Sequence, residues 1–351
     1  MDIRSLFDVK DRVVLVTGGG RGVGEMVSVQ CARPQSSRDV TSGDESLTPN
    51  RSQQDTWPMA RRARAQLDGT ESSSRHDREQ VYISSRDVSA CNDTASRLTK
   101  QGPGRCFSLP ADLSRYDECE RLVKEIAKRE EVLHVLVNNS GVTWGESIDT
   151  YPDSAWTKLL TLNVQRVFTL TQKLLPLLEK GGTRDGVGRV INIGSINGVS
   201  VPGMETFAYS ASKAALHQCV VSLLVSLSSP SSSSVSPRPL SAPPLHYPTT
   251  DPRNPRNPRN SRRLSRHLAS RVGPSITVNT LALGPFRSKM MRATLDSFEQ
   301  EIAQGLPLER IGKPEDVAAA CLWLSGKGGE WVTGTVVPVD GGSLVGPKAR
   351  L

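Results

Sequence analysis

Residues 12–16 (Arg-Val-Val-Leu-Val) run directly into Thr17-Gly18-Gly19-Gly20-Arg21-Gly22-Val23-Gly24. A short, continuously apolar run of this kind reads as a strand buried on both faces. Gly18, Gly22 and Gly24 allow a tight turn and let backbone N–H groups at a helix start approach a pyrophosphate. Val23, Met26, Val27 and Cys31 then keep a helical apolar spacing, so a helix runs to about Arg33, where Pro34 stops it. A strand, glycine turn and helix in that order point to a dinucleotide-binding unit within a parallel sheet.

The rest of the chain continues the alternation. Residues 81–84, 106–109, 133–137, 189–194, 276–281 and 335–339 read as strands, and 114–129 and 153–180 as helices. This predicts an α/β chain with a single-domain Rossmann fold: a doubly wound parallel sheet with helices on both faces. Ligands in such a sheet bind at the carboxyl ends of the strands.

Two intervals do not fit this pattern. Residues 34–80 are polar, rich in Ser, Arg, Asp and Gln, and have no sustained period; they read as a disordered insertion. They also delay the second strand to some 60 residues after the glycines. Residues 222–263 carry nine prolines, the run Ser231-Ser-Ser-Ser234 and a threefold Pro-Arg-Asn repeat from Pro252. Such a segment forms neither helix nor packed core. It interrupts the helix that carries Tyr209 and Lys213, and joining Leu216 to Leu264 restores an amphipathic pattern. Both intervals read as intron-like or gene-model additions, with tolerated surface loops as the alternative. The second holds six arginines and one aspartate, a net +5 of the chain's formal +8. The basic balance therefore belongs to one segment and does not describe a nucleic-acid surface. Setting both intervals aside leaves a length typical of one α/β domain.

Composition excludes other classes. The six cysteines form no Cys-x-x-Cys pair and the five histidines show no metal-ligand spacing, so no metal site is expected and a reducing compartment is. The first ten residues lack a signal-peptide core, and no apolar run reaches the roughly 20 residues of a membrane span.

Tyr209-Ser-Ala-Ser-Lys213 places a phenol and an ammonium one helical turn apart on the same face. A nearby lysine stabilises a phenolate and makes the tyrosine a usable acid–base group. Ser195, at the end of the 189–194 strand, adds a hydroxyl. With Asp112-Leu113, Asn138-Asn139-Ser140-Gly141, Asn163 and the stretch from Asn279 to Gly284, these motifs occur in an order that resembles the short-chain dehydrogenase/reductase family. Residues 81–87, 143–146 and 213–218 are similar to its 3-oxoacyl-[acyl-carrier-protein] reductase branch, of the type associated with rhamnolipid synthesis.

The resemblance implies roles. Tyr209 is the general acid, Lys213 lowers its pKa and binds the nicotinamide ribose, Ser195 holds the substrate carbonyl, and Asn163 keeps a water that links Lys213 to solvent. For the cofactor it implies Thr17, Gly18, Arg21, Gly22, Val23, Gly24, Asp112, Leu113, Asn139, Gly141, Gly284 and Ser288, together with Tyr209 and Lys213. Asp112 has a helix N-cap as its alternative role. Ser85-Arg86 at the end of the second strand, with Arg21, offers two guanidinium groups to a 2′-phosphate, so NADP(H) is expected over NAD. The expected reaction is reduction of a carbonyl, foremost a 3-oxoacyl thioester or its acyl-carrier-protein form. A polyol, steroid or xenobiotic carbonyl reductase is the alternative enzyme, and a non-catalytic product of interrupted reading is the alternative of another class. Trp144, Met204, Phe207 and a helix around 286–295 are expected to line an apolar acyl pocket, with Arg287 and Arg292 near its mouth. The family's homo-tetramer is expected, with the 222–263 interval standing against it. A cytoplasmic location is expected, with Ala349-Arg350-Leu351 as a peroxisome-like alternative address.

Overall fold

The computed structural model describes residues 6–32, 80–102, 104–184, 186–219 and 275–346. The expected interval at 222–263 and the C-terminal tripeptide lie outside these residues. So does the 34–80 interval, save Gln80, which is the first residue of a strand.

Among the described residues, seven parallel strands form one sheet. They are β1 (Val13–Thr17), β2 (Gln80–Ser84), β3 (Arg105–Ser108), β4 (Val135–Asn138), β5 (Gly188–Ile193), β6 (Ile276–Leu283) and β7 (Val336–Val339), in spatial order β3-β2-β1-β4-β5-β6-β7. β1 pairs with β2 over five registered residues, from Val13 opposite Gln80 to Thr17 opposite Ser84. On its other edge β1 meets β4, Leu15 opposite Leu136. The chain order reverses between β1 and β4, and that switch point opens a crevice beyond the strand ends.

Successive side chains of a strand point to opposite faces. Val13 and Leu15 of β1, Leu136 of β4 and Val190 of β5 pack on one face with Leu122, Ile126, Leu170 and Leu174. These partners come from α3 (Tyr116–Arg129) and α5 (Arg166–Arg184). Val14, Val16, Val137 and Ile191 pack on the other face with Val27, Leu98, Val317 and Leu324. Those belong to α1 (Gly22–Cys31), α2 (Val88–Gln101) and α8 (Pro314–Ser325). Leu15, Leu136, Leu170 and Leu174 are 0 to 1% exposed.

The helix expected over 153–180 is two helices. α4 (Asp153–Leu160) passes through a π-helical turn (Thr161–Gln165) into α5. The cause is a side chain. Asn163, within the turn, exchanges hydrogen bonds with the backbone of Val142 and donates to Ser212, and an inserted extra residue lets it reach both. Phe286 is not helical either: it is 3% exposed, its ring lies against Gly312, and α7 (Arg292–Gly305) begins after it. Phe286 is therefore core, and the helix expected around 286–295 starts at Arg292.

Leu136 joins the two halves of the sheet at the switch point. Leu136→Ala is expected to lower unfolding stability by about 2–5 kcal/mol, measured as a shift in urea midpoint at unchanged slope.

Candidate active site

The carboxyl ends of β1 and β4 are stitched together. Thr17 Oγ1 accepts the backbone N–H groups of Asn139 at 2.9 Å and Ser140 at 3.0 Å and donates to the Val137 carbonyl at 3.3 Å. Asn139 returns its side-chain amide to the carbonyls of Thr17 at 2.9 Å and Gly18 at 3.3 Å. One strand over, Asn138 donates to Thr171 and Asn192. Gly18 (φ +66°) and Gly22 (φ +58°) occupy the left-handed region that favours glycine. Gly24 packs where a Cβ would run into the Gly18 carbonyl and the Asn139 amide. The turn thus holds α1's first N–H groups close to the crevice, the arrangement a pyrophosphate requires. Val23 packs partly buried behind it. Ser288 lies next to this turn: a Cβ on Gly22 would lie 3.5 Å from Ser288 Cβ.

The other half of the site lies on α6 (Phe207–Cys219) and the turn after β5. Tyr209 is 9% exposed, Lys213 5% and Ser195 8%. The Ser195 hydroxyl lies beside the Tyr209 phenol, where it stabilises the phenolate. Ser195 caps the 3₁₀ turn Ile196–Gly198, its oxygen accepting from Asn197 N at 3.2 Å. Lys213 Nζ donates to the Ile193 carbonyl at 2.7 Å and stands 5.7 Å from the centre of the Tyr209 ring. Gly141 sits beside both halves: a Cβ there would lie 3.2 Å from Asn163 Oδ1 and 3.7 Å from Lys213 Nζ.

Burial dominates the electrostatics of the Tyr209–Lys213 pair. Burial raises the Tyr209 phenol above its ordinary value, with the Ser195 hydrogen bond pulling the other way. The Lys213 ammonium donates to the Ile193 carbonyl, and burial brings Lys213 itself down to about 8. The phenol therefore stays protonated through the neutral range, ready to donate.

A family model described as short chain dehydrogenase matches residues 70–230, and one described as enoyl-(acyl carrier protein) reductase matches 261–343. The rhamnolipids biosynthesis 3-oxoacyl-[acyl-carrier-protein] reductase of Pseudomonas aeruginosa is 33% identical over 340 residues, covering 96% of this chain and 97% of that protein. The chain belongs to the short-chain dehydrogenase family. The 3-oxoacyl-[acyl-carrier-protein] reductase FabG of Staphylococcus aureus is 27% identical over 237 residues, or 67% of this chain and 76% of that protein. A solved Pseudomonas aeruginosa RhlG/NADP active-site complex superimposes with a TM-score of 0.67 at 31% identity, covering 96% of this chain and 98% of the other. Membership makes the chain an oxidoreductase of this family. The similar proteins are bacterial and give no support to a peroxisomal address. No helix among the described residues is long and apolar enough to cross a membrane.

Several residues matched to family motifs also have partners within the chain. Leu113 is 5% exposed within the core, which leaves only its backbone for a ligand. Asp112 is not an N-cap. Its Oδ1 accepts from Ser114 N at 3.1 Å and Ser114 Oγ at 2.8 Å, and α3 starts two residues later behind Arg115. Gly284 lacks a Cβ because Asp340 Cα would lie 2.7 Å from it, a packing requirement. Arg21 is no free cation. It pairs at 2.6 Å with Asp87, the residue that caps α2 by accepting from Ala90 N at 3.0 Å. The Ala90 N–H foremost, with Arg21 and Lys289, holds that carboxyl below the usual range. Arg86 is exposed, and Ser85 Oγ donates to the Asp87 carbonyl at 2.9 Å. Asn163 spends both amide hydrogens, on Val142 O and Ser212 Oγ, so its side chain braces the site.

Sequence reasoning passed over Asp87's cap, Ser212 and His217. Of these only His217 had a visible signal, its position four residues after Lys213. The His217 ring is 4% exposed and accepts the Ser195 N–H at Nε2, 3.3 Å away. Burial, then the Lys213 charge, brings His217 from 6.5 to about 4. Between those values the unfolded chain binds a proton that the folded chain does not, so stability falls as pH drops from 6.5 toward 4. Urea midpoints measured at several pH values in that window should fall on acidification, and His217→Gln should make the dependence shallower. The same logic at Lys213, whose pKa falls from 10.5 to about 8, makes stability rise with pH across that interval.

Proposed function

We propose that the chain is an NADPH-dependent carbonyl reductase whose substrate is a 3-oxoacyl thioester, free or carried on acyl-carrier protein. One observation carries this reading: a buried, protonated Tyr209 with the Ser195 hydroxyl beside it, in a fold whose glycine turn is shaped for a pyrophosphate. The relative named as a 3-oxoacyl reductase supports the substrate class, and the NADP complex of the similar solved structure supports the cofactor.

The residues present fit the cofactor. The left-handed Gly18 and Gly22 and the Cβ-free approach at Gly24 form a cradle that a side chain would fill. The N–H groups of that turn would hold the pyrophosphate. Asp112 would face the adenine, Ser85, Arg86 and Arg21 the 2′-phosphate, and Lys213 the nicotinamide ribose. Thr17, Asn139, Gly141 and Ser288 would border the nucleotide. When bound, NADPH supplies the hydride.

The chain's own groups handle the oxygen. Negative charge builds on the carbonyl oxygen during reduction, and donors already in place stabilise it without reorganisation. Ser195 Oγ would hold that oxygen next to the phenol. Tyr209 would pass its proton to it, and a phenol kept protonated by burial suits this direction of reaction. Lys213 is the group within reach to help return a proton to Tyr209, and its depressed pKa of about 8 lets it exchange one near neutrality. Asn163 fixes the helix that carries both.

For the acyl chain, Trp144, Tyr151 and Phe207 cluster around the start of α6. Tyr151 meets Phe207 edge to face at 5.3 Å, and Trp144 packs against the cluster of Leu159, Ala208 and Tyr209. Met204 is 43% exposed at the rim. Arg287, expected near the mouth, is paired with Asp296 and Glu299 on α7.

Tyr209→Phe should lower kcat for 3-oxoacyl thioester reduction by about 10²–10⁴-fold while NADPH affinity stays within about twofold, read by stopped-flow absorbance and fluorescence titration. Full activity in Tyr209→Phe would refute the assignment. Turnover of polyols or steroids without turnover of any 3-oxoacyl thioester would replace the substrate class.

A further inference from the structure

Tyr209, Lys213 and His217 occupy one row along α6, each a helical turn beyond the last. The first two belong to the site above. His217 has no part in that chemistry, yet the turn carrying Ser195 is folded around it. A Cβ on Gly194 would stand 2.9 Å from His217 Cδ2 and 2.8 Å from Thr280 Cγ2. A Cβ on Gly198 would stand 2.8 Å from His217 Cε1 and 2.7 Å from Ala214 N. These two glycines bracket Ser195 in sequence, and the imidazole fills the space that their missing side chains leave.

The ring does more than occupy space. The Ser195 N–H points at Nε2 from 3.3 Å. An acceptor there must be unprotonated, so the ring is neutral with its proton on Nδ1. The other polar groups of Ser195 are also engaged. Its carbonyl accepts from Gly198 N at 3.0 Å, its Oγ accepts from Asn197 N at 3.2 Å, and its hydroxyl meets the Tyr209 phenol. Of these ties, only those to His217 and Tyr209 cross from the β5 turn to α6. Tyr209 must release its tie when a carbonyl arrives between the two hydroxyl groups. His217 is then the side chain on α6 that still holds the Ser195 backbone.

We propose that His217 is a positioning residue for the reduction: by accepting the Ser195 N–H it fixes the Ser195 hydroxyl relative to the Tyr209 phenol while substrate is bound. The proposal rests on the reading of Ser195 and Tyr209 as the pair that handles the carbonyl oxygen. Donors in such a pair lose effectiveness steeply when displaced by a fraction of an ångström. A second-sphere hydrogen bond to one of them therefore acts on the transition state more than on binding.

Two replacements separate the hydrogen bond from the volume. His217→Leu keeps an apolar group without an acceptor. His217→Gln carries its amide to the place of Nε2 and keeps one. His217→Leu should lower kcat about 10- to 100-fold with KM and NADPH affinity within about twofold, and His217→Gln should recover most of that loss. In a Ser195→Ala background, His217→Leu should change the residual kcat by less than about twofold, because the hydroxyl it positions is gone. Equal losses for Leu and Gln would overturn the proposal. So would a loss confined to KM or to NADPH affinity, or a His217→Leu factor undiminished in Ser195→Ala. If His217→Leu does not fold, His217→Asn, whose amide stops short of Nε2, takes its place against His217→Gln under the same criteria. A Ser195→Ala chain with wild-type turnover would instead refute the underlying catalytic reading, so the two failures are distinguishable.

Discussion

The hydrogen-bond stitch between Thr17 and Asn139 is the contact on which the rest depends. At a switch point the two neighbouring strands send their chains to opposite faces, and nothing in the sheet ladder continues past their ends. One threonine hydroxyl receives two backbone N–H groups from the β4 end, and one asparagine amide answers with two bonds to the β1 end. The stitch fixes the glycine turn from below. Gly18 carries the left-handed φ that follows, and Gly24 fits against Gly18 and Asn139 because it has no side chain. Both walls of the cofactor crevice therefore inherit their geometry from four hydrogen bonds among buried and half-buried groups.

The second half of the site is organised around the row on α6. Lys213 ties the helix to the β5 end through Ile193, and His217 ties it to the turn beyond. Asn163 binds the same helix through Ser212, which in turn donates to the Tyr209 carbonyl at 2.8 Å. The π turn that allows Asn163 to do this interrupts an otherwise regular helix pair. Burial of these groups has a thermodynamic consequence. Lys213 and His217 both hold protons less readily folded than unfolded, so the site is least favourable to stability in acid.

The sheet was legible in the sequence, and the reason is physical. Strands buried on both faces read as apolar runs, and those at residues 12–16, 133–137 and 189–194 needed no other context. Strand ends moved by a residue or two, as with Gln80, a polar residue whose backbone pairs with Val13 and Arg105. The proposed catalytic trio stood out in the sequence because its spacing is local to one helix and one strand end. What was hidden depends on partners far along the chain. The split at residues 161–165 needs Val142 and Ser212, and the packing reason for Gly284 needs Asp340. Phe286 is an apolar residue whose pattern fits pocket and core equally, and Gly312 decides for core. The direction of the Lys213 ammonium rests on the Ile193 carbonyl, which no spacing rule contains.

The central claim is that this chain carries a working NADPH site built on the Thr17–Asn139 stitch. Fluorescence titration of the full-length chain with NADPH and NADH tests it most directly. The account predicts saturable binding with NADPH favoured. Absence of saturable binding to either nucleotide would contradict it.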